Sequence, residues 1–561
     1  TSGGRWSASA MDRRDFLVSL AAAAGAASLA GCRGGPPPLP PGELLGTSLA
    51  LGHRLQSAGF ASPSESRKVP VLIVGAGVAG LAAGWKLARA GFSDFLLVEL
   101  ENEAGGNSRA GRNAVSAYPW GAHYLPLPNR EALAVRELLA ELGVLLGDPR
   151  APRPVYDERY LCATPQERLY RNGRWQEGLL PQTGVSTAER GQYQRFADLI
   201  EGFKRRRDGA GRAAFALPMA LSSRAPDLLA LDRISMRDWL LAQGLDSPQL
   251  HWYVNYACRD DYGTASAAVS AWAGIHYFAC RTGEAQNAGN ETVLTAPEGN
   301  AWLVSGMLRS ISAHAGERLL SGALAFRVAG GERGAGTGPL AVDLWLASEQ
   351  RTLRLLADQV IWAAPLFLVP HVFAGHAALK AAAASYSYAP WLVANLTLSR
   401  FPDERAGAPP AWDNVLYDSA GLGYVVATHQ QMRLWRQATV LTFYRTFDAL
   451  SPQAGRAALR ETPRAVWAEQ ILAELERPHA NIRQVTTRLD VFRNGHAMAR
   501  PLPGLIWGEA RQRFAADGER LRFAHADVSG FSLFEEAQYR GVLAAERTLR
   551  RLGVRFSSSL G

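Results

Sequence analysis

The chain has 561 residues, of which 47% are hydrophobic and 20% are charged, so it is a globular protein too long for one hydrophobic core. Its formal net charge is +9, but the basic residues are dispersed and their one run, at 204–207, is typical of a solvated helix face, which argues against nucleic-acid binding. The four cysteines have no CxxC spacing, and no cluster of His, Cys and acids predicts a metal site.

The amino terminus carries a targeting pattern. Arg13 and Arg14 precede a small apolar stretch that ends in LAGC at 29–32. The first 32 residues thereby resemble a bacterial twin-arginine export signal with a lipoprotein cleavage box. The resemblance implies a periplasmic or cell-surface protein, held at a membrane by a lipid on Cys32, with 33–68 as a linker. A short transmembrane anchor or a disordered arm is the alternative.

The next segment predicts a βαβ unit. An apolar run at Val71–Val74 is bounded by glycine, as is typical of a parallel strand buried on both faces. A helix over Val78–Ala90 follows, and a second strand over Phe95–Val98 ends at Glu99. An acid at this position accepts hydrogen bonds from the ribose hydroxyls of a bound dinucleotide.

Three glycines between the first strand and the helix complete the pattern. Gly75 permits the tight turn, Gly77 lets the backbone approach a pyrophosphate, and Gly80 lets the helix pack close to the strand. The free N–H groups and the positive end of the helix dipole then meet the phosphates. The segment therefore predicts a dinucleotide-binding unit.

The residues after Glu99 indicate which dinucleotide is bound. Gly105, Gly106 and Arg109 resemble the GGR-type segment of the flavin-containing amine oxidase superfamily, which includes phytoene desaturases. The resemblance implies FAD, with its pyrophosphate against these residues, although Asn107 stands where the family usually has arginine.

Further segments carry the same resemblance. AYPWGAHY at 117–124 is similar to the family's loop beside the isoalloxazine ring, which implies that Gly121 and Ala122 contact the cofactor. Residues 319–328 and 357–365 resemble the paired strands that return to the FAD domain. The segment that contains Asp527 resembles the one in which an acid binds the ribityl chain.

These matches imply an α/β fold in which a Rossmann-like FAD-binding domain of the amine oxidase type is interleaved with an α+β substrate domain. The chain would form the FAD domain from residues 69–150, 291–375 and 501–555. Residues 151–290, mostly helical, and 384–500, mostly sheet, would form the substrate domain.

Two residues are candidates for a catalytic role. Amine oxidases of this superfamily usually hold a lysine near the flavin N5, on a strand that resembles residues 394–402, where Asn395 takes its place. Loss of that lysine leaves the electron acceptor open. His496 precedes the last FAD segment and is expected near the flavin, either as a catalytic group or as a structural histidine.

The substrate region offers candidates without a known motif. CRDDYG at 258–263 reads as a polar break between apolar helices, where Asp260 and Asp261 would bind an ammonium group beside Tyr124. The alternative is helix capping with a salt bridge to Arg259.

The sequence therefore predicts an FAD-dependent oxidoreductase that removes a hydride from a small organic substrate, an amine or polyamine by resemblance. The first alternative is an FAD-dependent desaturase of a polyene or lipid. The second is a non-catalytic lipoprotein that binds a lipid or a partner, because the same fold has non-catalytic relatives.

Overall fold

The computed structural model describes residues 38–57, 59–330, 338–431, 437–516 and 518–560. The chain divides into two units, Thr1–Leu39 and Pro40–Gly561, and the architecture below belongs to the second. The predicted signal over residues 1–32, including Cys32, lies outside the described residues.

The β-strands are numbered in chain order. They are β1 (Leu44–Gly46), β2 (Ser66–Val74), β3 (Phe95–Val98), β4 (Ala110–Arg112), β5 (Ala117–Pro119), β6 (Leu125–Pro126), β7 (Leu145–Leu146), β8 (Val155–Tyr156), β9 (Glu167–Arg171), β10 (Arg174–Glu177), β11 (Val293–Leu294), β12 (Leu319–Leu320), β13 (Ala323–Ala329), β14 (Leu340–Leu346), β15 (Arg351–Trp362), β16 (Tyr388–Leu398), β17 (Asp413–Leu416), β18 (Gly421–Val426), β19 (Thr439–Thr446), β20 (Thr486–Ala499) and β21 (Leu521–Phe523).

The α-helices are numbered in the same way. They are α1 (Leu49–Ser57), α2 (Val78–Arg89), α3 (Leu133–Glu141), α4 (Thr187–Arg205), α5 (Pro226–Ala230), α6 (Met236–Ala242), α7 (Pro248–Tyr262), α8 (Ala271–Ala279), α9 (Ala301–Ala315), α10 (Val369–Val372), α11 (Ala377–Ala383), α12 (Pro452–Glu461), α13 (Arg464–Leu475), α14 (Ile482–Val485), α15 (Glu509–Ala515) and α16 (Phe534–Arg551). None of the described helices is both long enough and apolar enough to cross a membrane.

The first of two large sheets has the order β12-β3-β2-β15-β14-β13, with β21 also paired to β15. Strands β12, β3, β2, β15 and β21 run parallel, so their carboxyl ends share one edge. Gly75, Glu99 and Leu366 follow three of these strands, and Asp527 follows β21. This edge of an open parallel sheet is where such folds bind ligands.

Helix α2 packs unusually close to its surroundings because it carries small residues. A Cβ added at Gly80 would overlap the carbonyl oxygen of Gly75, and one at Gly84 would lie 3.1 Å from side-chain atoms of Leu97 and Ile311. A Cβ at Gly541 of α16 would overlap the carbonyl oxygen of Ala79. The glycines therefore set the distance between α2 and the elements around it.

The second large sheet has the order β1-β20-β16-β19-β18-β17-β9-β10. Its centre is antiparallel, while β17 and β9 pair in parallel. Residues 391, 393 and 395 of β16 lie on the face toward residues 117–124, since Trp391 and Val393 share an apolar cluster with Trp120 and Tyr124, and Asn395 donates to Pro119. This α/β architecture confirms the predicted fold class.

Two sequence-based expectations are wrong in detail. Residues 44–57, placed in the linker 33–68, form β1 and α1, because β1 finds a parallel partner in the distant β20 and Arg54 stacks on Trp345 at 3.8 Å. Residues 319–328 and 357–365 do not pair directly, since β14 lies between β13 and β15.

Candidate functional site

The glycine-rich turn after β2 forms an open cradle. Gly75 has φ +98°, and its N–H donates to the carbonyl of Val98 at 2.8 Å. A Cβ at Gly77 would meet a single neighbour within 4 Å, the Cα of Gly106 at 4.0 Å. Gly105 and Gly106 both have positive φ, which favours glycine. Two glycine backbones thus face each other with no side chain between them.

The start of α2 is free to meet an anion. Its N-cap, Gly77, supplies no side-chain hydrogen bond, and no acid occupies the first turn. The unsatisfied N–H groups and the helix dipole favour a negative group there. The cradle and this helix end together fit the pyrophosphate of a dinucleotide.

Glu99 lies beside this cradle. Its carboxylate accepts hydrogen bonds from the N–H of Ala76 at 2.6 Å and of Glu101 at 3.0 Å. Burial raises the pKa of Glu99 in spite of these donors. The side chain is half-buried and held at the end of β3, in the place expected of a ribose-binding acid.

The two segments predicted to hold the cofactor are clamped together. The carbonyl of Asn107 accepts from the N–H of Ala122 at 2.9 Å, and a Cβ at Gly121 would overlap that same carbonyl. The side chain of Asn107 donates to the carbonyl of Ala497 at 2.6 Å. Asn107 therefore ties this loop to β20.

Arg109 stays beside the cradle and faces an acid. Its Nε donates to the carbonyl of Gly106 at 3.2 Å, and its Nη1 lies 3.4 Å from a carboxylate oxygen of Glu101. The guanidinium also lies 5.5 Å from the ring centre of Phe492. It remains a candidate for the cofactor's pyrophosphate.

Asp527 is buried at the same edge and holds three protein partners. One carboxylate oxygen accepts from the N–H of Leu366 at 2.9 Å and the hydroxyl of Tyr388 at 2.8 Å. The other lies 3.1 Å from Nδ1 of His525. Burial opposes ionisation, but these partners outweigh it, so the pKa of Asp527 lies below its usual value. Its proposed role toward the ribityl chain stays a prediction.

Asn395 is a buried connector between strands and loop. Its amide donates to the carbonyl of Pro119 at 3.1 Å and accepts from the hydroxyl of Thr442 at 2.7 Å. The side chain therefore points at the loop segment 117–124.

His496 is not next to Asn395. Asn395 pairs with Asp490 of β20, and His496 lies six residues further along that strand, which corresponds to about 20 Å. The imidazole stacks on Phe367 at 4.3 Å. Burial, then the positive charge of Arg456, lowers the pKa of His496 to about 4, so the ring is neutral near pH 7. The structure does not bring the two predicted catalytic residues together.

The segment 258–263 is not a polar break. Residues 258–262 continue α7, which ends at Gly263 with φ +58°. Arg259 pairs with Asp448 at 2.9 Å, whereas Asp261 pairs with Arg281 at 3.1 Å. The predicted salt bridge within the segment is wrong, because residues two apart on a helix point to different sides.

Tyr124 and Asp261 do meet. The hydroxyl of Tyr124 donates to Asp261 at 3.4 Å and accepts from Arg281 at 3.1 Å. Arg281 also stacks on Tyr277 at 4.2 Å. The charge of Asp261 is thus neutralised by a guanidinium, which leaves it poorly suited to bind an ammonium group itself.

Asp260 belongs to a second group of acids. Asp413 and Glu167 are register partners on β17 and β9, and α7 directs Asp260 toward them. Burial, then the negative charge of Asp261, raises the pKa of Asp260 to about 7, and burial, then the negative charge of Glu291, raises that of Glu167 to about 7, although Arg281 lowers both. Burial, then the negative charges of Asp260 and Glu167, raises the pKa of Asp413 well above its usual range. Among the described residues, no salt bridge joins any of the three to a cation. We call these three residues the acid cluster.

The acid cluster lies beside the loop segment 117–124. Each of its three side chains keeps some accessible surface although protein surrounds it. Burial, then the negative charges of Asp260 and Asp413, raises the pKa of Tyr444, so the tyrosine lies near both acids. Its hydroxyl donates to the carbonyl of Gly121 at 3.0 Å. The acids therefore lie close to the loop that carries Gly121 and Ala122.

Aromatic rings surround the acid cluster. His123 stacks on Tyr444 at 4.6 Å and lies 5.5 Å from Trp412. Burial lowers the pKa of His123 to about 4, so its ring is neutral near pH 7. Tyr256 of α7 also lies within reach of the charges of Asp413 and Asp260. Such walls suit an organic cation, since aromatic faces attract positive charge.

Sequence reasoning missed Asp413, Glu167, Arg281 and Tyr444. The two acids are the first residues of β17 and β9, and no local spacing connects them. The position of His123 near the site could have been predicted, because His123 lies in the loop segment 117–124. Among the residues that the structure describes, no group of His, Cys, Asp and Glu could hold a metal ion.

The comparisons with known proteins agree with this architecture. Residues 73–142 match the family model of the NAD(P)-binding Rossmann-like domain. No curated protein sequence matches the chain.

Several solved structures share the fold at low sequence identity. A double mutant of putrescine oxidase has a TM-score of 0.62 and 16% identity, over 86% of this chain and 100% of its own. Cyclohexylamine oxidase from Brevibacterium oxydans has a TM-score of 0.61 and 14% identity, over 87% and 100%. A fatty acid isomerase from P. acnes has a TM-score of 0.57 and 14% identity, over 85% and 98%. At these identities the similarity shows the fold, which places a Rossmann-like domain within the architecture of these amine oxidases.

Proposed function

We propose that the protein is an FAD-dependent oxidoreductase whose substrate is a cationic amine. The observation that carries the proposal is the acid cluster of Asp260, Asp413 and Glu167, which forms no salt bridge with a cation among the described residues and lies beside the loop of Gly121. Three buried carboxyl groups of like charge are costly to ionise. A substrate that brings positive charge to the acid cluster removes that cost.

The cofactor assignment is supported by the glycine cradle. The facing backbones of Gly77 and Gly106 leave room for a pyrophosphate, and Glu99 lies where an adenosine ribose would bind. FAD, when bound, accepts a hydride equivalent from the carbon next to the amine nitrogen. The fold similarity to putrescine oxidase and cyclohexylamine oxidase supports the same chemistry.

The acid cluster has two tasks in this proposal. Ionised carboxylates bind the ammonium form of the substrate and orient it within the aromatic walls. A carboxylate with a pKa near 7 then also accepts the proton that the reacting nitrogen must lose before its carbon can be oxidised. Arg281 stays paired with Asp261 and so adds little repulsion toward the cation.

The alternatives fit the described residues less well. A polyene or fatty acid would have to bury its apolar chain against carboxyl groups that have no other partner, which costs free energy. A non-catalytic binder of the same fold has no need for the cradle of Gly77 and Gly106 or for the acid at Glu99. Because the fold is similar to that of a fatty acid isomerase, a fatty acid is also tested directly as a substrate.

The test is an anaerobic titration of the flavin-loaded protein with putrescine, benzylamine and linoleic acid, followed by flavin absorbance. We expect an amine to bleach the flavin bands and linoleic acid to leave them unchanged. Asp260→Asn should raise the amine concentration needed for half-bleaching, whereas Asp94→Asn, an exposed aspartate far from the acid cluster in the chain, should not. Bleaching by linoleic acid alone, or none by any amine, would overturn the proposal.

Export and membrane attachment through a lipid on Cys32 are proposed as well, on the resemblance of residues 1–32 to a lipoprotein signal. Expression of the full chain in a bacterial host with radiolabelled palmitate tests this. Label on the wild type but not on Cys32→Ala supports it, and an unlabelled membrane fraction contradicts it.

A further inference from the structure

A second cavity lies away from the acid cluster, between α15, α16 and the segment that contains α5. Its volume is about 470 Å³, within the usual range for small-molecule sites. Four arginines line it, Arg224, Arg511, Arg540 and Arg547, beside Trp507. No residue of the acid cluster or of the glycine cradle lines it.

Two of these arginines are buried and form no salt bridge among the described residues. Arg511 and Arg540 are each 4% exposed, and neither has a carboxylate within salt-bridge distance among the described residues. Burial, then the positive charge of Arg540, lowers the pKa of Arg511 to about 10. A buried pair of like charges is costly unless an anion joins it.

Two acids act electrostatically on these arginines, and each also accepts a hydrogen bond from a backbone N–H. Glu536 acts electrostatically on Arg540, but its carboxylate accepts from the N–H of Met219. Asp232 acts on Arg511, and its carboxylate accepts from the N–H of Trp507 at 2.9 Å. The three guanidinium groups of Arg224, Arg511 and Arg540 therefore outnumber the two described acids that act on them.

The guanidinium groups still have N–H donors for a ligand. Arg511 donates to the carbonyls of Ile506 and Val528, and Arg540 donates from Nε to the hydroxyl of Ser529 at 2.8 Å. These contacts fix both side chains and use a part of their five donors each. Arg224 is exposed at the mouth, with its guanidinium 5.7 Å from the ring centre of Trp507.

The cavity is separate from the dinucleotide edge. Gly541 of α16 faces α2, since a Cβ there would meet Ala79 and Ala82. Residues 539, 540, 543 and 547 lie about 100–160° around α16 from Gly541, at 100° per residue. A ligand in this cavity would not compete with one bound in the glycine cradle.

We propose that this cavity binds a phosphate monoester, gripped by Arg224, Arg511 and Arg540, with the organic part of the ligand against Trp507. A monoester carries close to two negative charges near pH 7 and three acceptor oxygens, which matches several guanidinium groups better than one carboxylate does. The ester can come from a soluble metabolite or from the headgroup of phosphatidic acid.

The test uses the intact flavin-loaded chain. Calorimetry measures the binding of phenyl phosphate, with phenol as the neutral control, and co-sedimentation measures binding to phosphatidylcholine vesicles with and without phosphatidic acid. Arg224→Gln removes a guanidinium at the exposed mouth and leaves the buried pair intact. Arg233→Gln, an exposed arginine outside the cavity, is the matched control.

We expect saturable binding of phenyl phosphate that weakens roughly tenfold in Arg224→Gln, the usual effect of one charge-assisted hydrogen bond, and stays unchanged in Arg233→Gln. Binding to phosphatidic acid vesicles with the same dependence on Arg224 identifies the lipid as the source. Binding of neither probe, or equal losses in both variants, overturns the proposal, since the latter indicates general surface attraction.

Discussion

Asp413 and Glu167 stand opposite each other on the parallel strands β17 and β9, two carboxyl groups that form no salt bridge among the described residues. Like charges directly across a strand pair destabilise a sheet. The negative charge of Glu167 raises the pKa of Asp413, and that of Asp260 raises it more. An arrangement that costs stability in the empty protein is reasonable where a cationic ligand completes it.

The first prediction concerns the pH dependence of amine binding. The pKa values of Asp260 and Glu167 are raised to about 7, so both groups are largely neutral below that pH and ionised above it. A primary amine stays cationic throughout. Its affinity should therefore increase as the pH rises through about 7, measured as KM or as the half-bleaching concentration. An affinity that is flat across this range contradicts the assignment of these acids.

The second prediction concerns stability. The pKa of Asp260 is about 7 in the folded chain and about 4 in an unfolded one, so folding favours its neutral form. This favourable contribution is complete below about 4 and is lost as the pH rises to about 7. The Asp260→Asn variant has no ionisable group at this position, so it does not lose this stability as the pH rises. The Tm of the variant should thus exceed that of the wild type above pH 7, and the difference should shrink toward pH 4.

Thermal unfolding of both proteins without substrate, at several pH values, measures this difference. Asp94→Asn serves as the control, because Asp94 is exposed. A constant difference at all pH values would mean that Asp260 does not titrate as the structure indicates.

The third prediction assigns His496 a structural role. Its pKa is lowered to about 4, so the imidazole stays neutral at every pH above about 5 and contributes no ionisation to the rate profile. Replacement by glutamine removes the stack on Phe367 but no titrating group. The pH profile of kcat/KM should keep its shape in His496→Gln, even where the overall rate falls. Loss of one limb of the profile would restore a general acid or base role.

Local patterns explain how far the sequence was informative. Gly75, Gly77 and Gly80 act on neighbours within one turn and one helix, so their spacing, with the flanking strands and helix, predicts the βαβ unit. Asp413 and Glu167 meet through the register of two strands that are far apart in the chain, which no single sequence reveals. Arg259 and Asp261 were paired on proximity in sequence, yet the helix turns them to different partners.

The last prediction separates two glycines of one motif. A Cβ at Gly77 would meet a single atom, 4.0 Å away, in the space between Gly77 and Gly106, so Gly77→Ala should cost the flavin-free fold no more than about 1 kcal/mol. The same methyl group occupies room that the pyrophosphate needs, and flavin affinity should fall at least about tenfold.

Gly80→Ala should behave in the opposite way. Its Cβ would overlap the carbonyl oxygen of Gly75 and press on Ala363, so α2 must move from the sheet, at a cost of about 3 kcal/mol in the flavin-free protein. Urea unfolding of the flavin-free proteins and fluorescence titration with FAD measure the two effects separately. If Gly77→Ala loses stability as much as Gly80→Ala, or binds FAD as tightly as the wild type, the space between Gly77 and Gly106 does not hold the cofactor.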